Sequence, residues 1–487
     1  MFQRIKRSLG VESSPSRPTP STAGYEAIGR AGDDGEAEAG ALRPAGARRE
    51  TRQEGQVYWA FWALGAGVLL SWNVLICSFP LLASFFPAGS SYRTNLASYL
   101  SSVYCFGNLV FLGVAQRSVA TTSPIARIQW SLTLLIFLSF IFSFPIIHFI
   151  LPPLSSSPAL LLSLLIAISG ALSLSTAYLQ SGVFALSALW PQSASSDSGA
   201  TLAVMSGQGG IAVLVSATQL VIAAVTALNG SGGGQGEEGK PSARAGIVLW
   251  MLASVGALGC RLALKHVMAQ PGYLDVMAQV GQRQEEGARG EGEKVRTRTV
   301  LRKNAKLEVA VAWVFTVTLS VFPPLTTAIV STHYPTPKLL QPAVFIPSHF
   351  LIFNIGDYLG RTYIPRLPNC LPSSQNTVLA LSFSRTFLIP LFLLCNVNPD
   401  PTSPVHSTPW INSDLAYFTV LLVFGLTNGW ISSLCMILAS NPVLNPRIQE
   451  GEKDVAGTLA AFCLVSGLAA GSVASFGVNW IVRGSFV

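Results

Sequence analysis

Long apolar stretches, broken by short polar ones, recur through the chain from residue 57 to its end. Eleven of them are long enough to cross a bilayer, which takes about 20 helical residues each. They lie near 57–86, 94–115, 125–151, 158–189, 200–228, 246–268, 307–331, 342–365, 375–396, 413–438 and 454–482. The pattern predicts an all-α membrane protein with eleven transmembrane helices. Gly and Pro interrupt several segments, which spans tolerate where neighbouring helices or waters satisfy the backbone. The stretches 57–86 and 158–189 exceed a bilayer's needs and are expected to tilt or extend beyond it.

Residues 1–56 break the pattern. They are rich in Gly, Ala, Ser, Pro, Arg and Glu and contain no apolar run, so they read as a disordered cytosolic tail rather than a signal peptide. A second polar stretch, 269–306, separates six spans (57–268) from five (307–487). It holds Arg283, Arg289, Lys294, Arg296, Arg298, Arg302, Lys303 and Lys306, and is expected to be a charged cytosolic loop. With the tail inside, the other inward loops carry Arg117, Arg127, Arg366, Arg447 and Lys453, whereas the outward ones keep only Arg93, Lys240, Arg244 and Lys338. That bias places the N-terminus in the cytosol and the C-terminus outside or in a lumen. The N-G-S sequon at Asn229 falls on the outer side, where it is a glycosylation candidate.

Composition agrees with the spans. Half of the 487 residues are hydrophobic and 11% are charged, against about a quarter charged in a soluble domain. The net charge of +8 fits the positive loops and does not imply nucleic acid as a partner; the lipid bilayer is the expected one. None of the seven cysteines stands in paired spacing, so neither a disulfide framework nor a zinc site is expected. The run G-Q-G-E-E-G-K-P (234–241) imitates a phosphate loop, but Pro241 stands where a Ser or Thr must meet magnesium and no strand precedes it. No catalytic constellation, metal cluster or cofactor motif emerges, and the chain is not expected to be an enzyme.

Chemistry inside the spans is more informative. The eighth segment keeps Asn354, Asp357 and Arg361 on one helical face, spaced i, i+3 and i+7. An unpaired Asp or Arg at a span centre costs roughly 2.5–3.5 kcal/mol on insertion scales, so such residues face a bundle interior or a wet cavity. Two readings fit: a structural ion pair that fastens helices, or a polar stripe along a substrate path with Asp357 accepting ligand hydroxyls. Gly356 and Gly360 thin the same helix and allow close approach of a neighbour or ligand. In the first segment, Trp72 and Asn73 lie deep rather than at the interface, where Trp72 either stacks on a flat ring or packs in the core. Gln180 supplies a two-way hydrogen-bonder in the fourth. Arg385 in the ninth reads first as an interhelical tie.

These stretches together resemble the equilibrative nucleoside transporter family. F-N-I-G-D-Y-L-G-R (353–361) is similar to that family's eighth-span motif, and W-N (72–73) to its first-span motif, with Ser71 in place of the usual Pro. L-Q-S-G (179–182), S-G-Q-G (206–209), R-T-F-L-I-P-L-F-L-L-C-N (385–396), F-G-L-T-N-G-W-I-S-S-L-C-M (424–436) and A-G-T-L-A-A-F-C-L-V-S-G-L-A-A-G (456–471) resemble it too. The resemblance implies a major-facilitator-like 6+5 bundle that moves nucleosides, and in some members nucleobases, by facilitative alternating access. It implies Trp72 near the base, Gln180 on its polar edge, and Asp357 with Arg361 at the ribose; Asn73, Asn354 and Arg385 are supporting polar residues. Three alternatives stay open: a same-fold carrier of another organic solute, a proton-coupled nucleoside symporter, and a receptor without flux. Were protons involved, Asp357 is the candidate carrier, although pairing with Arg361 opposes its protonation. Plasma membrane and vacuolar or lysosomal addresses fit equally.

Overall fold

The computed structural model describes residues 45–87, 90–118, 122–191, 199–228, 239–288, 293–367, 372, 374–397 and 409–483. The tail up to residue 44 and the sequon Asn229 lie outside the described residues. Among the described residues, fourteen α-helices run in chain order: α1 (Ala45–Ser84), α2 (Ser91–Arg117), α3 (Pro124–Ile141), α4 (Leu151–Leu154), α5 (Pro158–Leu189), α6 (Gly199–Leu228) and α7 (Gly239–Met268), then α8 (Gly272–Ala288), α9 (Glu293–Val321), α10 (Pro342–Thr362), α11 (Gln375–Ser384), α12 (Ile389–Leu393), α13 (Asp414–Ser440) and α14 (Lys453–Arg483). A π-helical stretch, Phe142–Ile150, joins α3 to α4, and a 3-10 turn, Arg385–Leu388, joins α11 to α12.

Local chemistry starts the helices where the sequence changes character. Ser90 accepts from the Arg93 amide at 3.3 Å and Ser413 from the Ala416 amide at 3.3 Å, capping α2 and α13. Pro158 opens α5 at the first helical position, where its missing N–H removes nothing. Within the spans, many hydroxyls turn back on their own helix. Ser78 donates to the Val74 carbonyl at 2.7 Å and Thr316 to the Ala312 carbonyl at 2.8 Å, so these two hydroxyl protons are not left facing hydrocarbon.

Ten of the described helical segments are long and apolar enough to cross a membrane. The predicted span 342–365 is not among them, although it forms the 21-residue helix α10. Its polar residues lower its hydropathy, and its packing explains why they are tolerated. Asn354, Asp357 and Arg361 are each at most 9% exposed, because α10 is held between α6 and α13. The polar stretch 269–306 is largely helical: α8 fills 272–288, with Val276 and Val280 buried one turn apart, and α9 begins at Glu293.

In the first six spans α2 packs on α5 and α3 on both α5 and α7; in the last five α9 packs on α14, α11 and α13, and α10 on α13. Contacts between the two groups run through α6 with α10 and through α14 with α2 and α5.

Small residues allow the closest crossings. A Cβ on Gly207 would stand 1.8 Å from the Trp62 carbonyl oxygen, and one on Gly65 2.1 Å from that of Val204, so α1 and α6 touch backbone to backbone. The glycines of S-G-Q-G-G therefore serve packing, while Gln208 between them points to other work.

Candidate functional site

Between the two groups of helices lies a cavity of ≈ 160 Å³. Of the residues singled out from the sequence, Trp72, Asn73, Gln180, Asn354, Asp357 and Arg361 all line it. They come from α1, α5 and α10, helices far apart in the chain.

On one wall, α1 presents Trp72 against Tyr104 of α2, ring centroids 4.8 Å apart and planes tilted by 37°. Ser71 helps to set that arrangement. Its hydroxyl lies 3.0 Å from the Tyr104 hydroxyl and 2.8 Å from that of Thr176, and the latter two are 2.6 Å apart. This triangle ties α1, α2 and α5 together directly behind the aromatic pair. A proline at position 71 would supply no hydroxyl, so Ser71 gives this chain its own means of holding the Tyr104 ring. Asn73, in contrast, spends its amide on its own helix, donating to the Leu69 carbonyl at 2.8 Å.

On the facing wall, the acid and base of α10 are joined as the i, i+4 spacing predicts: Arg361 Nε donates to Asp357 Oδ2 at 2.6 Å. The rest of the arrangement is interhelical. Asn428 of α13 donates from Nδ2 to Asp357 Oδ1 at 2.6 Å, and accepts on Oδ1 from the Thr318 hydroxyl of α9 at 2.7 Å. Arg361 Nη1 donates to Gln208 Oε1 of α6 at 3.1 Å, across the two groups of helices. Both oxygens of Asp357 thus accept charge-assisted or amide hydrogen bonds, which roughly double the strength of neutral ones. Asn354 fastens helices too, donating to the Ala212 carbonyl at 3.2 Å.

Arg385 stands elsewhere. It is 1% exposed and donates to the Val314 carbonyl at 2.7 Å, the Phe424 carbonyl at 3.1 Å and the Thr427 hydroxyl at 3.2 Å, with its guanidinium 4.7 Å from the centre of the Phe424 ring. It ties α9 to α13, as the first sequence reading holds, and does not line the cavity. Arg385→Lys is expected to lower the melting temperature of the detergent-solubilised protein, because an ammonium cannot reproduce a three-way fork over a ring. Losing such bonds costs about 1–3 kcal/mol; an unchanged melting temperature would show that the fork carries no weight.

The sequence reading overlooked Tyr104, Asn108, Thr176, Gln208, Thr318 and Asn428, which line the same cavity. Gln208 and Asn428 lie inside stretches that carry the family resemblance, and each is a polar residue within an apolar segment. That signal marks candidates, but it does not tell a cavity wall from a helix contact. The structure makes the distinction: Gln208 and Asn428 are both the immediate partners of the Asp357–Arg361 pair.

Comparisons with known proteins agree with this architecture. The profile of the family described as "Nucleoside transporter" matches residues 281–480, which hold Asp357, Arg361 and Asn428. Human equilibrative nucleoside transporter 2 is 37% identical over 180 residues, covering 37% of this chain and 36% of that protein. Human equilibrative nucleoside transporter 1 is 31% identical over 181 residues, 37% of each chain, and adenosine transporter 1 of Crithidia fasciculata is 32% identical over 181 residues, covering 36% of this chain and 32% of that one. The matched part thus spans a little over a third of the length of the human relatives. Among solved structures, a bacterial homologue of the iron transporter ferroportin in an outward-facing state superposes with a TM-score of 0.55 at 13% identity, covering 89% of this chain and 95% of its own. The human organic anion transporter gives 0.52 at 14% identity, over 88% and 95%. At that identity the likeness is one of fold alone.

Proposed function

We propose that this multi-pass membrane protein, whose residues 281–480 match the nucleoside transporter family, carries nucleosides by alternating access. One observation supports the reading most: a single cavity has an aromatic wall at Trp72 and Tyr104 and a hydrogen-bonding wall at Asp357, Arg361, Gln208 and Asn428. A nucleoside is neutral, flat at one end and rich in hydroxyls at the other, and its two ends match those two walls. Trp72 would cover the base, Gln180 would bond its polar edge, and Asp357 would accept ribose hydroxyls while Arg361 holds its carboxyl in place.

Movement would follow from rocking of the first six spans against the last five around this site. The Arg361–Gln208 bond joins α10 to α6 and is among the contacts that must remake in each cycle. A cytosolic N-terminus and a passive, equilibrative mode are the readings that loop charge and family resemblance favour.

The deciding experiment is uptake of labelled uridine and adenosine into proteoliposomes, first without any ion gradient and then with an inward proton gradient. Saturable uptake without a gradient, competed by unlabelled nucleosides, is expected. Accumulation only with the gradient would replace the passive mode by symport. No uptake from folded protein in either condition would overturn the nucleoside reading and leave a same-fold carrier of another solute.

A further inference from the structure

Helix α9 carries one acid whose surroundings the nucleoside site does not explain. Glu308 is 3% exposed, and neither of its carboxyl oxygens has a hydrogen-bonding N–H or O–H partner. It lies on the stripe Asn304, Glu308, Val311, Phe315, Thr318, Phe322, spaced alternately by four and three residues, so these side chains share one face. The last three line the cavity. Glu308 follows on the same face about 10 Å from Phe315 along the helix axis, by the rise of seven residues.

Among the described residues, the helices packed on α9 bring thiols and no cation to it. Cys463 of α14 and Cys435 of α13 are the titratable groups that interact with it. Cys463 directly precedes Leu464, which lines the cavity, and Cys435 lies seven residues beyond the cavity residue Asn428. Helix α11 brings no ionisable side chain. The remaining charges on packed elements are engaged elsewhere. Lys303 gives both its contacts to Glu452 at 2.7 Å, Lys306 bonds Asn376, Lys453 pairs with Glu450, and Arg385 is bound to carbonyls. Asp454, at the start of α14, carries a like charge and sits near Arg127. Asn304, one turn away, gives its amide to the Ala439 carbonyl at 2.9 Å.

A carboxylate enclosed in this way, with the weak thiol donor of Cys463 beside it and no counter-ion, would bear most of the cost of burying a charge. Asp357 differs on every count, with an arginine and an amide on its two oxygens. We propose that Glu308, not Asp357, is a proton-binding site of this carrier, occupied by a proton in the packed conformation seen here. The cavity residue Phe315 lies two turns away on the same face of α9, so water that passes beyond it during the transport cycle would reach the carboxyl and let it exchange its proton. The consequence for flux rests on the nucleoside reading above; the protonation itself does not. When the proton leaves, an unpaired charge remains among α9, α13 and α14, and this conformation becomes less favourable. Transport therefore falls as pH rises.

Two measurements test the proposal on the full-length protein in lipid. Infrared spectra should show a protonated-carboxyl stretch near neutral pH that is missing in Glu308→Gln and in Glu308→Leu and that fades as pH is raised. Glu308→Leu serves if the amide variant folds poorly, since an apolar residue suits the site. In parallel, adenosine uptake by the wild type should drop severalfold between about pH 6 and about pH 8.5, a range in which an ordinary exposed carboxyl is already ionised. The Glu308→Gln protein should keep uptake with a nearly flat profile. Identical infrared spectra for wild type and variants overturn the proton site, and a pH profile unchanged in Glu308→Gln overturns its link to transport. A Glu308-dependent carboxyl band with no nucleoside uptake at any pH would retain the proton site and reject the nucleoside reading instead.

Discussion

Asp357→Asn is expected to reduce nucleoside uptake by at least about tenfold, the equivalent of about 1.4 kcal/mol, and to lower the melting temperature as well. Both effects follow from the two helices, α10 and α13, that meet at this carboxylate. Asp357 accepts from Arg361 on one oxygen and from Asn428 on the other. An asparagine has one acceptor oxygen, so its NH2 must face one of those donors and break that bond. The Arg361 charge, 3% exposed, is then left without a counter-ion, and breaking a buried pair in this manner costs about 3–5 kcal/mol. A loss of uptake alone would not separate a substrate ligand from a helix fastener. The double variant Asp357→Leu, Arg361→Met does so, because replacing both ions by apolar groups of similar size removes the unpaired charge. It should recover most of the melting temperature while uptake stays low. Recovery of uptake along with stability would mean that the pair is purely structural and that ribose is held by other groups.

A second large effect is expected from Gly429→Ala. Helices α10 and α13 cross through four glycines, Gly356 and Gly360 on one and Gly425 and Gly429 on the other, each pair spaced by four residues. A Cβ on Gly429 would fall 2.0 Å from the backbone oxygen of Asp357, and one on Gly360 2.2 Å from that of Leu426. Backbone cannot turn aside as a side chain can, so the helices must separate. Asn428 is the residue before Gly429, and its 2.6 Å bond to Asp357 would stretch with the crossing. Overpacking costs typically about 1–3 kcal/mol, and here the strained atoms belong to the site itself. Gly429→Ala should therefore lower the melting temperature by several degrees and remove most uptake. Gly259→Ala on α7, whose Cβ would meet nothing within 4 Å, is the control. It should leave uptake intact and, as alanine favours helix over glycine by about 0.5–1 kcal/mol, should not destabilise. If the two variants melt and transport alike, the crossing is looser than its glycines indicate.

Several features were legible without the fold because they depend on residues close in sequence. Bilayer-length apolar runs foretell helices, since a backbone in hydrocarbon must satisfy its hydrogen bonds within the segment. The i, i+4 spacing of Asp357 and Arg361 foretells their ion pair, since both lie on one face of one helix. The glycines at 356, 360, 207 and 209 foretell close crossings. Trp72 and Gln180 were found because a polar or aromatic group deep in an apolar run needs a reason to be there.

Other features depend on which helix lies opposite, and no local pattern specifies that. Asn428 and Thr318 complete the Asp357 network only because α13 and α9 pass beside α10. Ser71 departs from the family's proline, and its service to Tyr104 and Thr176 emerges only when α1, α2 and α5 are packed. The polarity that keeps α10 below the threshold of an apolar span is harmless because α6 and α13 enclose it. Glu308 carries no motif at all; its isolation is a property of α9, α13 and α14 together. Span length, facing pairs and helix thinness are encoded within a few turns of one helix, where backbone geometry sets the neighbours. Partnership across helices, and with it the contrast between Asp357 with its arginine and Glu308 without a counter-ion, arises from packing, because a buried charge is stabilised or stranded by whatever the fold brings against it.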